Sequence, residues 1–375
     1  MSETTEPIES ATPSQPVNGA TKALEAEVAA DVAAAEEAQP SRLRQLIATP
    51  IMATLLFLAV LLVAFSILAP GKFGTTSNLT LLAQNVAILT VASVGTTFII
   101  ATAGIDLSIP SGIILGEVFA AQALSWITVG DGKAIDVPAD QTKATYILAA
   151  LAGALIGGLV IGAINGVLVA YMHIPPMLAT LGTLGAGLGV ALLLRKGVNV
   201  ASYALNPVAT GKLIPGIPGL TNLVLIGLIV VVIGYVALHH SVFGRHTLAI
   251  GSSEEAARRV GLRVERHLLK VYMLGGLANG FAGFLSLAYF STTSVGGHST
   301  DNLQAITSVA LGGTSLFGGV ATIIGTLIGV WIPAVLQNGF IITGVNPYWQ
   351  MIAVGIVLVL AVWSDQLRRR SQNRR

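Results

Sequence analysis

Long runs of apolar residues, separated by short polar stretches, dominate the chain from residue 51 onward. A helix that crosses the hydrocarbon of a bilayer needs about twenty mostly apolar residues. Stretches that approach this length cover residues 51–69, 80–103, 108–127, 146–171, 178–194, 220–239, 269–290, 303–317, 319–338 and 349–365. The pattern predicts an all-α, polytopic transmembrane helical bundle of about ten spans.

The stretch 303–317 differs from the others because it is short and rich in polar side chains. It contains Gln304, Thr307, Ser308, Thr314 and Ser315. We therefore expect a broken or re-entrant helix here. Such a segment is tolerated at membrane depth only where protein shields it or where it lines a cavity.

The composition supports a membrane protein and excludes several other classes. Hydrophobic residues make up 53% of the chain and charged residues 10%, whereas a soluble domain carries about 25% charged residues. The chain has no cysteine, so disulfides and thiolate metal sites are excluded. Its histidines do not form a metal-ligand set, and no face interleaves basic with aromatic residues, so we expect membrane lipid and no nucleic acid as a partner.

Charge divides the chain into three regions. Residues 1–45 are predicted to be a disordered acidic tail, because the first forty residues hold eight carboxylates against Lys22. Residues 46–367 form the predicted membrane domain, and residues 368–375 form a basic tail. Most Lys and Arg residues lie near the two termini or in 240–268, so the positive-inside rule places both termini and this segment in the cytoplasm.

The 240–268 segment contains the longest charged stretch within the membrane domain. Ser252, followed three residues later by Glu255, matches a capping box that starts a helix. Gly261 is expected to end or bend that helix. A spacing of four places Ala256, Val260, Val264 and Leu268 on one face. This short amphipathic helix suits docking to a partner protein, or else it is a solvated basic loop near lipid headgroups.

Four ordered stretches carry a resemblance to a known family. The sequence Gly244-Arg245 … Glu254-Glu255-Ala256-Ala257-Arg258 … Gly261 resembles the cytoplasmic coupling loop of permease subunits from bacterial ATP-binding-cassette importers of the ribose/xylose/galactose type. Gly104-Ile105-Asp106-Leu107-Ser108 resembles the signature after that family's second span. Pro176 to Thr183 resembles its entry into the fifth span, and Leu311-Gly312-Gly313-Thr314-Ser315-Leu316-Phe317-Gly318-Gly319 resembles its late glycine-rich segment. Branched-chain amino-acid permeases are distant relatives.

The chain departs from the family pattern at three positions. Pro110 stands where a Val-Gly pair is usual, Gln304 where Asp is common, and Glu117 where small or apolar residues are typical. These departures leave the family resemblance in place and put the substrate in question.

The resemblance implies a transport complex. Two permease copies would form the path, and an extracytoplasmic sugar-binding protein would deliver a monosaccharide, with ribose or a related pentose or hexose favoured. The complex would lie in the bacterial plasma membrane. Two cytoplasmic ATP-binding subunits would dock on the coupling loop. The docking residues implied are Glu254, Glu255, Ala256, Ala257, Arg258 and Gly261. Gly104, Asp106, Ser108, Gly312 and Gly313 would be structural signature residues.

The sequence itself supports the assignment of ATP binding to separate subunits. No Gly-Lys pair in the chain is followed by the Ser or Thr of a phosphate-binding loop, as Gly71-Lys72 and Gly211-Lys212 illustrate. We therefore expect no catalysis and no cofactor in this chain. ATP and Mg would be bound by separate ATPase subunits.

Two acidic residues border or enter the early spans. Asp106 precedes a predicted helix start, where it suits backbone donors and the helix dipole. Glu117 lies in mid-span, where a carboxylate is costly and suggests function. It faces the substrate path in one interpretation and a neighbouring helix in the other.

Sugar hydroxyls need scattered amide and hydroxyl partners. Path candidates of this kind are Asn85, Asn165, Gln304 and Thr307, although each of these residue types also serves in helix–helix hydrogen bonds. The main alternative function is an ion-coupled secondary transporter of a small polar solute, which would use Glu117 and Asp106. An intramembrane enzyme is disfavoured, since Ser315 has no histidine in a span to activate it.

Overall fold

A computed structural model of the chain describes residues 50–128, 140, 142–214, 216–346 and 348–372. These residues contain thirteen α-helices, and their pairing in extended conformation is limited to one isolated bridge between Ala201 and Thr292. The helices are α1 Pro50–Leu68, α2 Thr76–Ala101, α3 Ile109–Thr128, α4 Ala144–Ala170, α5 Pro176–Arg195, α6 Asn206–Thr210, α7 Asn222–His239, α8 Val242–Ser252, α9 Glu254–Arg259, α10 Val264–Phe290, α11 Asp301–Leu311, α12 Ile323–Thr343 and α13 Tyr348–Gln372.

The predicted all-helical membrane bundle is confirmed. Eight helices in the described part of the chain are long and apolar enough to cross a bilayer, namely α1 to α5, α7, α10 and α12. Helix α13 adds a shorter apolar stretch, Tyr348–Trp363. The predicted acidic tail, 1–45, lies outside the described residues. The last helix runs to Gln372, into the segment predicted as a basic tail, and residues 373–375 lie outside the description.

The stretch 303–317 contains a short, broken helix, as its polar sequence predicts, and no full span. Helix α11 has 11 residues, which at 1.5 Å per residue covers about 16 Å, roughly half of a 30 Å hydrocarbon layer. Gly313, two residues beyond the helix end at Leu311, has a φ of +92°. A methyl group at Gly312 would overlap the backbone of Gly325. The turn after α11 therefore packs tightly on the start of α12.

Burial separates central from peripheral helices. The apolar window of α2 is 89% buried, whereas that of α1 is 11% buried, so α2 lies inside the bundle and α1 presents most of its surface outward. Helices α4 and α10 pack at backbone distance, because a methyl group added at Gly158 would overlap the carbonyl oxygen of Gly276. Small residues permit such close approach between membrane helices.

The bundle has two ends that are identified by their residues. The end of α2, the end of α4, the start of α5 and the 240–268 segment line one cavity and define the 240–268 end. At the opposite end, the α10–α11 linker (291–300) meets the α5–α6 linker, where Ser202 N–H donates to Ser291 O at 2.8 Å. We call this the His298 end.

Candidate functional site

Glu117 is fully buried in the middle of α3 and accepts hydrogen bonds from two other elements. On α10, the Ser286 hydroxyl donates to Oε1 at 2.6 Å. In the α10–α11 linker, the Ser294 N–H donates to Oε2 at 2.8 Å. His298 Nε2 lies 3.0 Å from Oε1. The carboxylate is thus paired and hydrogen-bonded, which is what burial of a charge at membrane depth requires.

His298 lies between two carboxylates. Its Nδ1 atom is 2.7 Å from Oδ2 of Asp301, the first residue of α11, while Nε2 faces Glu117. Burial by itself lowers the pKa of this imidazole, but the hydrogen bonds and charges of Asp301 and Glu117 outweigh it and raise the pKa to about 10. The ring is therefore an imidazolium that donates from both nitrogens at neutral pH.

A polar cavity of about 130 Å³ lies beside this trio at the His298 end. Four elements contribute to it: α2, the α10 C-terminus with the following linker, α11 and α12. Its polar side chains belong to Asn85, His298, Thr300, Asp301, Gln304 and Gln337, and Phe290 supplies an aromatic ring. The arrangement can present amide and carboxylate groups to a small polar solute.

The structure brings three of the predicted path residues to this region. Asn85 and Gln304 line the cavity, although they are distant in sequence. Glu117 lies behind its wall and reaches it through His298. Thr307 is buried within α11, and its hydroxyl donates to Leu303 O at 2.6 Å. Asn165 belongs to a different cluster.

That second cluster surrounds the loop between α2 and α3. Asp106 Oδ1 accepts two hydrogen bonds from Ser108 just before α3 begins, one from the Ser108 N–H at 2.7 Å and one from the Ser108 hydroxyl at 2.5 Å. Asn165 on α4 donates to Ser108 Oγ at 2.7 Å, and Thr183 on α5 donates to Asn165 Oδ1 at 2.6 Å. The chain of bonds ties the starts of α3 and α5 to α4.

The structure corrects the predicted capping box in the 240–268 segment. Ser253, not Ser252, caps α9, and its hydroxyl accepts the N–H of Ala256 at 3.2 Å. Ser252 instead ends α8 and donates to Leu248 O at 2.9 Å. The capping-box spacing selects Ser252, because only this serine has Glu three residues later, but Ser252 still belongs to the last turn of α8 and α9 begins after Ser253.

The predicted apolar face of this segment is also wrong. Ala257 and Val264 are buried against Ile250, whereas Ala256 is exposed and Val260 is 78% exposed. The chain does not continue as one helix from 252 to 268. It leaves α9 at Arg259, turns through Gly261 at a φ of +86° and re-enters a helix at Val264, which breaks the spacing of four.

Helix α9 presents a charged, accessible surface. Arg259 and Glu255 form a pair at 2.5 Å in which both side chains are more than three-quarters exposed. Arg258 pairs with Glu254 at 2.7 Å and also with Glu265 at the start of α10. These pairs hold the short helix in place and leave Glu255 and Val260 facing outward.

Three signature stretches meet where this segment contacts the bundle. A methyl group added at Gly251 would overlap the carbonyl oxygen of Ala101 at the end of α2. Gly319 N–H donates to that same oxygen at 3.0 Å. Gly104 packs on the hydroxyl of Tyr272 in α10. We call this contact between Ala101, Gly251 and Gly319 the glycine junction.

Sequence reasoning missed Phe290, His298 and Asp301. All three lie at or beside the α10–α11 linker, which shows neither a motif nor a periodicity. The available signal was the spacing of three between His298 and Asp301 at a helix start. No group of side chains suited to hold a metal ion was found within the described ranges.

The fold and these sites define a multi-pass membrane transport protein. A family model described as the permease component of branched-chain amino acid transport systems matches residues 77–362, and the chain belongs to this permease family. It is accordingly a non-catalytic membrane subunit of a transport system.

Curated relatives confirm the resemblance stated from the sequence. The chain is 34% identical to the ribose import permease protein RbsC of Escherichia coli K12 over 84% of this chain and 94% of that protein. It is 30% identical to the fructose import permease protein FrcC of Rhizobium meliloti, covering 86% and 87%. The galactose/methyl galactoside import permease protein MglC of E. coli K12 is 31% identical, covering 82% and 92%. No solved structure was found to match this chain.

Proposed function

We propose that this chain is the membrane subunit of an ATP-driven bacterial importer that translocates a monosaccharide, with ribose or a related pentose or hexose favoured. The observation that carries the proposal is the 34% identity to a ribose import permease across nearly that protein's whole length. Permeases named for galactose and fructose match at similar levels. These relatives are all named for small sugars, so a small sugar is the substrate class that we propose. The preference for ribose or a related sugar within that class is the more specific part of the proposal.

The polar cavity supports this function. Sugars are recognised by a few placed hydrogen-bonding groups together with an apolar surface. Asn85, Gln304 and Gln337 supply amides, and Phe290 supplies an apolar ring in the same cavity. The remaining path candidates, Asn165 and Thr307, lie outside the cavity lining and would support the helices around it through their hydrogen bonds.

The permease family and the exposed charged surface of α9 support the proposed partners. Two cytoplasmic ATP-binding subunits, which bind ATP and Mg, would dock on α9 of two permease copies. The contacts would be made by Glu254, Glu255, Ala256, Arg258 and Gly261, whereas Ala257 is buried and would position the helix. An extracytoplasmic binding protein would deliver sugar at the His298 end. Both termini would then be cytoplasmic, on the side of the 240–268 segment.

Reconstitution tests the proposal directly. The chain would be co-purified with the ATPase and binding protein encoded beside it and inserted into liposomes loaded with ATP. We expect ATP-dependent uptake of at least one monosaccharide and no uptake of leucine. Uptake of leucine with no uptake of any sugar would place the chain with the amino-acid branch of its family.

An ion-coupled carrier is the second candidate, and the buried Glu117 favours it. Carriers driven by H⁺ use intramembrane acids near broken helices, and Glu117 is linked through His298 to the start of the broken helix α11. The test is uptake by liposomes that contain this chain alone under an imposed proton gradient. Accumulation without an ATPase would replace the importer proposal.

A further inference from the structure

The cavity at the His298 end is lined by two chemically different groups of residues. The apolar group consists of Ile88, Leu89, Ala334 and the ring of Phe290. The polar group consists of amide, hydroxyl and charged side chains from α2, the α10–α11 linker, α11 and α12. A ligand that suits both groups needs hydroxyl groups together with an apolar C–H face.

Phe290 supplies the flat apolar surface. It is the last residue of α10, and its side chain is 51% exposed although it adjoins a polar cavity. An aromatic ring offers a broad apolar face with a negative quadrupole. The axial C–H groups of a sugar ring suit such a face, whereas an ion or an amino-acid zwitterion does not need it.

Asp301 supplies a charged acceptor. Its Oδ2 atom is held 2.7 Å from His298, whereas its Oδ1 atom accepts no hydrogen bond from any residue that the structure describes. Since His298 also binds Glu117, the Asp301 side chain is fixed in position by a group that is itself fixed. A preorganised carboxylate oxygen accepts hydrogen bonds from hydroxyl groups strongly.

Three amide side chains supply further hydrogen-bonding groups to the cavity. Gln304 donates from Nε2 to Thr300 Oγ1 at 3.0 Å, which orients its side chain along α11. Asn85 donates to Leu81 O at 3.0 Å, and its Oδ1 atom has no partner in the described part of the chain. Gln337 is exposed. Donor and acceptor groups from three helices thus converge on one small space.

We propose that this cavity is a monosaccharide-binding site on the translocation path, in which Phe290 covers a C–H face of the ring and Asp301 with the amides of Asn85, Gln304 and Gln337 binds its hydroxyl groups. The inference rests on the proposed function and adds the place and the residues of recognition. His298 is a positioning residue, which acts through Asp301.

The absence of cysteine from the chain makes a protection experiment direct. Asn85→Cys and Gln337→Cys would be introduced singly into the full chain, and each variant would be reconstituted with its ATPase and binding-protein partners. A water-soluble methanethiosulfonate reagent would then label the thiol, with and without saturating D-ribose, D-galactose, D-fructose or L-leucine. Thr210→Cys, on the exposed surface of α6, is the matched control.

We expect at least one of the three sugars to slow labelling at positions 85 and 337 severalfold and to leave position 210 unchanged. Leucine should have no effect. Equal labelling rates with and without every sugar, in a complex that still takes up sugar, would overturn the site while leaving the proposed function in place. Protection by leucine alone would overturn both.

Transport kinetics provide the second readout. Asp301→Asn keeps an oxygen acceptor but loses the charge that strengthens its hydrogen bond to a hydroxyl group, so it should raise KM for the sugar severalfold. Phe290→Ala should raise KM, whereas Phe290→Trp, which keeps an aromatic face, should restore it. Unchanged KM in Asp301→Asn and Phe290→Ala would contradict the proposal.

Discussion

The imidazole Nε2 of His298 lies 3.0 Å from Oε1 of Glu117, which joins the α10–α11 linker to the middle of α3. The same ring binds Asp301, so one residue connects a central helix, a linker and the start of the broken helix. A cation flanked by two carboxylates replaces the hydration that each charge would have in water. This trio therefore fixes the geometry of the neighbouring cavity.

Removing one residue of the Glu117–His298–Asp301 trio should lower the stability of the protein, because the remaining charges stay buried with one partner fewer. In Glu117→Ala, His298 keeps Asp301 but loses the carboxylate on its other side, and breaking such a buried pair typically costs about 3–5 kcal/mol. Glu117→Gln keeps a hydrogen-bond acceptor and should be milder. Thermal unfolding of the detergent-purified chain measures both, with Asn85→Ala as an exposed control. Equal melting temperatures for Glu117→Ala and the control would contradict the pairing.

Glu117→Gln also separates a role in the path from a role in packing. If the side chain acts on transport, uptake should change more than the yield of assembled complex. Uptake by the reconstituted complex and complex recovery after size-exclusion chromatography measure the two effects. Loss of assembly in this variant would assign Glu117 to helix packing.

The pH dependence of stability should carry the signature of His298. Its pKa is raised from 6.5 to about 10 in the folded protein, so folding takes up a proton between these values. The stability that this residue contributes is full below about 6.5 and is lost as pH rises toward about 10. We expect the melting temperature of the native chain to fall over this range and that of His298→Gln to fall less. Parallel curves would exclude this linkage.

Charge reversal on α9 should separate docking from folding. Glu255 is exposed, and its pair with Arg259 is a surface contact of the kind that contributes about 0–1 kcal/mol. Glu255→Arg should therefore insert and fold normally yet lose ATPase binding and ATP-driven uptake. Pull-down of the ATPase and uptake assays measure this, with Lys212→Glu as a charge-reversal control on another exposed loop. Normal transport by Glu255→Arg would remove the docking role.

The α4–α10 contact offers a matched pair of glycine substitutions. A methyl group at Gly158 would overlap Gly276 O, whereas one at Gly182 on α5 meets nothing within 4 Å. Gly158→Ala should lower stability by about 1–3 kcal/mol through overpacking, and Gly182→Ala should be neutral or stabilising by up to about 1 kcal/mol. Melting temperatures test the difference, and a Gly158→Ala variant as stable as the native chain would refute the close contact.

The sequence predicts the membrane helices well because each needs little beyond its own apolar length. Helices α3 and α5 begin and end within two residues of the predicted stretches 108–127 and 178–194. Helix α10 begins at Val264 rather than at 269, because its polar first turn lies within the 240–268 segment and does not continue the apolar run.

The sites were harder to predict because they depend on distant residues. Asn85 and Gln304 look like ordinary polar residues until α2 and α11 place them in one cavity. His298 lies in the α10–α11 linker, which has no periodicity, and Asp301 is the first residue after that linker. Their role becomes visible only in the folded protein, where Glu117 of α3 contacts His298. The break expected at Gly261 is confirmed, and it is the reason why a spacing of four carried across it, from Ala256 to Leu268, does not describe one face.

The glycine junction has a mechanical consequence. Ala101, Gly251 and Gly319 touch through backbone atoms, with no flexible side chain between them. Since packed backbone is nearly incompressible, a displacement of α8 and α9 reaches the end of α2 and the turn after α11 without being absorbed on the way. Asn85 and Gln304 lie in the helices α2 and α11 that end at these contacts, so a small rigid shift at one end of the bundle would widen or narrow the cavity at the other.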